Sequence, residues 1–235
     1  MAKTRRASGE KSPWRWLWLP FKWVSILGFG YLLACSLLLL AYRWLPPPTT
    51  TVQLQRLAEH AVDGEPYRLS YSPVSEDAQD DDARHAVVAS EDARFYLHHG
   101  FDLEEIRIAR EQARARGTSP RGASTLTQQL VKNLFLTTHR SWIRKGFEVP
   151  LTFLAELILP KERILTLYLN VAEWGPGIFG LDAAARHHYG TSASSLTREQ
   201  SARLVAVLPA PLSRSPQEMG RTSTRILTRM RQMGW

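Results

Sequence analysis

Hydropathy divides the chain into an apolar run, a short polar bridge and a long amphipathic remainder. From Trp23 to Tyr42 no residue is charged, a run of 20 bracketed by Lys22 and Arg43. At about 1.5 Å per residue, a helix over that run spans the roughly 30 Å hydrocarbon core of a bilayer. Pro46-Pro47-Pro48-Thr49-Thr50-Thr51 reads as a stiff extended spacer that holds the next segment off the membrane. Val52–Glu59 suits a short helix, Tyr67–Tyr71 alternates like a strand, and the acidic run 76–82 reads as a solvated loop.

From Asp82 onward the apolar spacing is helical. Helices are expected over Ala83–Leu97, Leu103–Arg116, a stretch ending near Leu136, Trp142–Leu159, one carrying Arg163–Asn170 with Pro160 in its first turn, Leu181–Tyr189, one opened by Thr197 and running to about Leu208, and Arg221–Met233. Ser124 or Thr125 caps the third of these, and Thr197-Arg198-Glu199-Gln200 is a capping box. Pro150 should kink its helix or mark where two helices abut. Residues 117–122 form a loop by composition, and no internal repeat is present. Strands are nearly absent, so the fold class is mainly α behind one N-terminal transmembrane helix. The expected division is a basic tail at 1–22, the span at 23–42, a linker and lead-in at 43–72, and one domain at 73–235.

Charge adds orientation. Lys3, Arg5, Arg6, Lys11, Arg15 and Lys22 face only Glu10 before the span, a net of +5, which places the N-terminus in the cytoplasm and the rest outside. Trp14, Trp16, Trp18, Trp23 and Trp44 sit at the span's ends, as interfacial anchors do. A cleaved signal peptide would need a shorter apolar region and a better cleavage site than Tyr42-Arg43-Trp44. Leu32-Leu33-Ala34-Cys35 loosely resembles a lipoprotein box, but the chain stays apolar beyond it. From Ala83 on, 21 bases oppose 13 acids, which favours an anionic substrate or surface. Nucleic acid is the rival reading of that charge, and no recognition motif supports it. The single cysteine, Cys35, excludes an internal disulfide framework and a Cys-rich zinc site.

Three polar signatures interrupt the helical pattern. Glu91, Phe95 and His98 stand at i, i+4 and i+7, on one face if the helix runs through them. A carboxylate beside an aromatic is partly desolvated, which raises its pKa toward the range of a general base. The plainer reading is an exposed Glu91-Asp92 pair at a helix end capped by His98. Ser124, Thr125, Gln128, Gln129, Lys132 and Asn133 load one short helix with hydrogen-bonding groups, while Leu126, Leu130, Leu134 and Phe135 form its buried stripe. Such amides and hydroxyls suit a sugar or phosphate groove; a polar solvated face is the alternative. Arg144 and Lys145 stand four and three residues before Glu148, which makes that carboxylate a counter-ion rather than a proton donor. The trio suits anion binding, and ordinary surface pairing explains those residues equally well.

Taken in order, the signatures resemble the family-51 peptidoglycan glycosyltransferases. Glu91–Gly100 is similar to that family's E-D-x-x-F-x-x-H-x-G, Gly122–Asn133 to G-x-S-T-[IL]-x-Q-Q-x-x-K-N, and Arg144–Glu148 to R-K-x-x-E. Lys161–Asn170 and the stretch Gly177–Gly190 resemble the fourth and fifth motifs, so the likeness covers about residues 70–235. Thr166 departs from the Glu of many bifunctional relatives and is given no chemical role, and Pro150 is a second departure.

The resemblance implies a lysozyme-like, two-lobed helical domain in the bacterial inner membrane, with its catalytic part periplasmic. The implied substrates are lipid II and the growing glycan strand. Glu91 would be the general base and Glu148 the second catalytic carboxylate. Asp92, Phe95, His98, Ser124, Thr125, Gln128, Gln129, Lys132, Asn133, Arg144 and Lys145 would bind substrate. The resemblance leaves the need for a metal open; a divalent ion, Mg2+ or Mn2+, could be held by Glu148. Membrane lipids are further partners, with wall-synthesis and cell-division proteins as candidates. Ser8-Gly9-Glu10-Lys11 fits a transpeptidase S-x-x-K only by chance and no K-[ST]-G follows, so a monofunctional form is expected. A lytic transglycosylase and a non-catalytic wall-synthesis scaffold are the alternative functions. Leu134, Phe135, Leu136 and Trp142 are expected to dip into the bilayer, unless they form a buried helix face.

Overall fold

The computed structural model describes residues 14–64, 66–119, 122–139 and 141–235. The basic tail at 1–13 and the side chains of Trp14, Trp16 and Trp18 lie outside the described residues. Among the described residues the chain forms ten α-helices and one three-stranded sheet, a mainly α fold.

Helix α1 (Trp14–Tyr42) contains a 23-residue segment, Pro20–Tyr42, apolar and long enough to cross a membrane. Its C-terminal third is docked onto the rest of the protein. Cys35, Leu39 and Tyr42 are buried, Tyr42 stacks on Phe135 at 6.4 Å, and the Tyr31 hydroxyl donates to the Phe135 carbonyl at 2.6 Å. Arg163 Nε and Nη2 donate to the carbonyls of Tyr42 and Leu45 at 2.7 and 2.8 Å, satisfying acceptors that a helix end leaves open. The Tyr71 hydroxyl donates to the Pro47 carbonyl at 2.7 Å. The prolines therefore do not hold the domain at a distance, as expected of a spacer. They turn the chain tightly between α1 and α2 (Thr51–Asp63), which Thr50 and Gln53 open with a capping box.

Strand β1 (Ser70–Tyr71) precedes α3 (Asp81–Glu91). The acidic run between them is not a free loop. Asp80 caps α3, Asp81 and Asp82 occupy its first turn where the helix dipole favours them, and Glu76 pairs with Arg84 at 3.1 Å. Arg84 is itself buried, so Glu76, Glu162 and Thr166 surround it; Thr166 Oγ1 accepts from Arg84 Nη1 at 3.0 Å. Thr166 thus belongs to a structural network.

Helix α3 stops at Glu91, not at Leu97, because Asp92 turns away to accept a hydrogen bond from the Leu126 amide at 3.0 Å. A single 3-10 turn, Phe95–Leu97, follows. Then come α4 (Leu103–Arg116), α5 (Leu126–Phe135), α6 (Trp142–Ile158) and α7 (Lys161–Val171). Pro150 neither ends nor divides α6, which continues through it as one helix. Strands β2 (Glu173–Gly175) and β3 (Ile178–Phe179) complete the sheet in the order β1-β3-β2. Helices α8 (Leu181–Tyr189), α9 (Arg198–Val205) and α10 (Gly220–Gln232) close the fold.

Two packing groups result. Helices α3, α9 and α10 pack together, while α5 is held between α6 and α7, with α1 against α6. Leu134, Phe135 and Leu136 are buried, so of the two readings offered for them the buried helix face holds and bilayer contact does not. Only Trp142 of that group is exposed, and it joins Ile143, Val149, Phe153 and Leu157 as an apolar face along α6.

Candidate active site

A groove of about 680 Å³ runs where the end of α3, the start of α5 and the start of α6 converge, with α10 at its edge. Its walls include Glu91, Asp92, Ser124, Thr125, Gln128, Gln129, Lys132, Arg144, Lys145 and Glu148. Three sequence signatures separated by up to 57 positions therefore meet in one place, Glu91 at one end of that span and Glu148 at the other.

The helix caps explain the convergence. Thr125 and Gln128 form a capping box that starts α5, and Thr125 Oγ1 also donates to the Gly100 carbonyl at 2.6 Å. Gly100 has φ +85, and a Cβ there would lie 2.7 Å from Thr152 Cγ2. Gly100→Ala is expected to destabilise the fold by about 2–4 kcal/mol through left-handed strain plus this clash. Denaturant unfolding checks it; wild-type stability would show that the close approach is not needed.

Glu91 is the last residue of α3, partly buried, and accepts from Gln129 Nε2 at 3.1 Å and from Ser90 Oγ at 3.4 Å. Burial pushes its pKa above the ordinary carboxylate value, against the lowering pull of those hydrogen bonds and of Lys132. Gln129 is oriented in turn by the buried Tyr168, whose hydroxyl donates to Gln129 Oε1 at 3.1 Å. Because Tyr168 fixes which end of the amide faces Glu91, it belongs to the site's supporting structure. It lies inside the fourth motif, but its spacing alone gives no hint of this role.

Glu148 is 3% exposed and is held by two cations: Arg144 Nη1 donates to Oε2 at 2.7 Å, and Lys145 Nζ donates to Oε1. A carboxylate this buried requires such partners. Arg144 Nε donates to the His139 carbonyl at 2.9 Å. Lys132 differs from both. Its ammonium forms no hydrogen bond or ion pair with any described residue, and burial together with Arg144 pushes its pKa below the ordinary lysine value. A cation left desolvated beside two others is poised for an anion that is not part of the chain.

Three expected binders lie elsewhere. Phe95 is fully buried under Lys161, whose Nζ sits 4.4 Å from its ring centre. His98 is buried with Nε2 2.9 Å from Asp92 Oδ1, and Asn133 is buried with its carbonyl taken by Thr51. None of the three lines the groove. They support it, His98 by holding the Asp92 carboxylate that anchors Leu126. Arg94, Thr138, Leu208, Pro209 and Arg229 do line it, and sequence patterning singled out none of them. Arg229 is one of four arginines on α10, and nothing in their spacing distinguishes it.

A divalent ion on Glu148 does not fit these residues, since both carboxylate oxygens are already held by cations. Asp92, His98 and Asp102 are near enough together to share an ion, but Asp92 is taken by Leu126 N and His98, and Asp102 by Glu105 N and Arg94.

A family model described as Transglycosylase matches residues 60–233. The chain belongs to that family. It is 48% identical over 184 residues to the biosynthetic peptidoglycan transglycosylase of Pseudomonas putida strain W619, covering 78% of each chain. It is 44% identical over 223 residues to that of Chromohalobacter salexigens, covering 93% of this chain and 95% of the relative. It is 47% identical over 211 residues to that of Pseudomonas aeruginosa PAO1, covering 88% and 90%. The activity is that of a peptidoglycan transglycosylase, and the family match contains every groove residue from Ala89 to Arg229.

Proposed function

We propose that this transglycosylase polymerises lipid II, a disaccharide-pentapeptide joined through pyrophosphate to undecaprenol, into β-1,4-linked glycan. Glu91 removes the proton from the 4-hydroxyl of the acceptor GlcNAc. That oxygen bonds to the anomeric carbon of the lipid-linked donor as the bond to pyrophosphate breaks, inverting α to β. Undecaprenyl pyrophosphate leaves as a stable anion and needs neutralisation rather than a proton. Lys132, Arg144 and Lys145 supply that charge, with Glu148 orienting the last two.

The observation that carries this reading is the presence, in a single groove, of one desolvated carboxylate and a desolvated lysine that no described residue pairs. Cleavage of a sugar–sugar bond calls for an acid at the leaving oxygen and has no use for three cations. The apolar face of α6 supports a lipid-borne substrate as well. Val149 and Phe153 meet Phe29 and Leu33 of α1 across an apolar cleft of about 590 Å³, and Glu148 immediately precedes Val149. The proposed setting is the bacterial inner membrane, N-terminus cytoplasmic, catalytic part periplasmic, with no transpeptidase activity. The test is incubation with purified lipid II and, separately, with sacculi. Polymeric glycan from lipid II is expected, whereas release of 1,6-anhydro muropeptides from sacculi without polymerisation would overturn the reading.

A pH dependence follows. Glu91 must be ionised to accept a proton, so kcat/KM rises with pH through a Glu91 pKa lying above the ordinary carboxylate value. Lys132 must be charged to hold the leaving group, so kcat/KM falls again through a lysine pKa lying below its ordinary value. The profile is therefore a bell, and Lys132→Met should lose its alkaline limb. A limb unchanged in that variant would assign it to another group.

A further inference from the structure

The clamp at Glu148 depends on a segment between α5 and α6. Arg144 is fixed from two sides, by Glu148 through Nη1 and by the His139 carbonyl through Nε. The position of that carbonyl therefore sets where the guanidinium points. Leu136–His139 has no regular structure to hold it.

Helix α2 holds it instead. Gln55 Oε1 accepts from the Thr138 amide at 2.8 Å, and Gln55 Nε2 donates to Thr138 Oγ1 at 2.8 Å. The second Nε2 hydrogen goes to Glu59 Oε1 at 2.6 Å. Both amide hydrogens and the carbonyl are thus used, which locks the orientation of the Gln55 amide. One turn earlier, Thr51 Oγ1 donates to the Leu136 carbonyl at 2.7 Å. Gln55 itself is not among the groove-lining residues, so its effect on chemistry has to pass through Thr138 and His139.

We propose that Gln55 is a positioning residue for the transfer: by gripping Thr138 it fixes the His139 carbonyl and, through it, Arg144 against Glu148 and the departing pyrophosphate. This rests on the reading of Arg144 as part of the leaving-group clamp. A guanidinium recognises phosphate oxygens through a planar fork, so it tolerates little misplacement. The link also ties the clamp to the helix that directly follows the membrane anchor.

The test is a double-mutant cycle between Gln55→Ala and Arg144→Ala on the full-length protein, read as lipid II polymerisation kinetics and as inhibition by inorganic pyrophosphate. Gln55→Ala is expected to lower kcat about tenfold with a smaller change in KM, and to weaken pyrophosphate inhibition several-fold. In the Arg144→Ala background it should cause no further loss, because its effect passes through that residue. Gln55→Glu keeps the acceptor for the Thr138 amide and should retain more activity than Gln55→Ala; it replaces Gln55→Ala in the cycle if the latter fails to fold. Val62→Ala, an exposed change on the same helix, should match the wild type. Losses that add between the two sites, or wild-type kinetics in Gln55→Ala, would overturn the link alone. Wild-type kinetics in Arg144→Ala would overturn the clamp reading and this link with it.

Discussion

Glu91→Gln is expected to lower kcat by about 10²–10⁴-fold, the range a positioned general base contributes, with little change in KM. Gln has the same shape and still accepts the hydrogen bond from Gln129, so the groove should keep its form. Stability should move the opposite way from activity. A carboxylate whose folded pKa is raised ionises more readily in the unfolded chain, so the fold loses stability as pH climbs past the unfolded value. An uncharged amide removes that penalty, and the unfolding temperature near neutral pH should equal or exceed the wild type's. Loss of activity together with a lowered unfolding temperature would mean that Glu91 supports the fold rather than the reaction.

Lys132→Met carries the second large effect. Methionine keeps the length and apolar stem of the side chain but removes a groove cation that forms no hydrogen bond or ion pair with any described residue. A preorganised charge aimed at a developing anion contributes about 10²–10³ in kcat, and a loss of that order is expected. Because the ammonium is desolvated, its removal should cost the fold little beyond packing. Single-turnover kinetics with lipid II would check it. A variant that changed KM alone would show that Lys132 binds ground state and transition state equally.

These two residues were legible in the sequence because their chemistry is local. The Thr125–Gln128 capping box marks where α5 begins, and Lys132 follows one turn later with its neighbours already polar. Arg144, Lys145 and Glu148 are likewise within one turn of each other, so their ion pairs could be read from spacing. The apolar stripe of α5 already marked Leu134 and Phe135 as buried, but the exposed apolar face of α6 depends on where α1 docks and could not be read from spacing. The end of α3 was missed for the same kind of reason. Ala-rich spacing continues past Glu91, and only the distant Leu126 amide explains why Asp92 leaves the helix. Phe95 and His98 consequently moved from an expected binding face to the structure beneath it. Gln55 and Tyr168 act through intermediaries, a relation that no spacing encodes.

The proposed division of labour in the groove, a base at Glu91 and a pyrophosphate clamp at Lys132, Arg144 and Lys145, makes a stoichiometric demand. Each glycosidic bond formed must release one undecaprenyl pyrophosphate, with no acid needed at the leaving oxygen. The direct measurement is to count released undecaprenyl pyrophosphate against new muramidase-sensitive bonds as the full-length protein consumes lipid II. A ratio of one is predicted, abolished in Glu91→Gln. Bond breakage in preformed glycan without release of the lipid pyrophosphate would contradict the account.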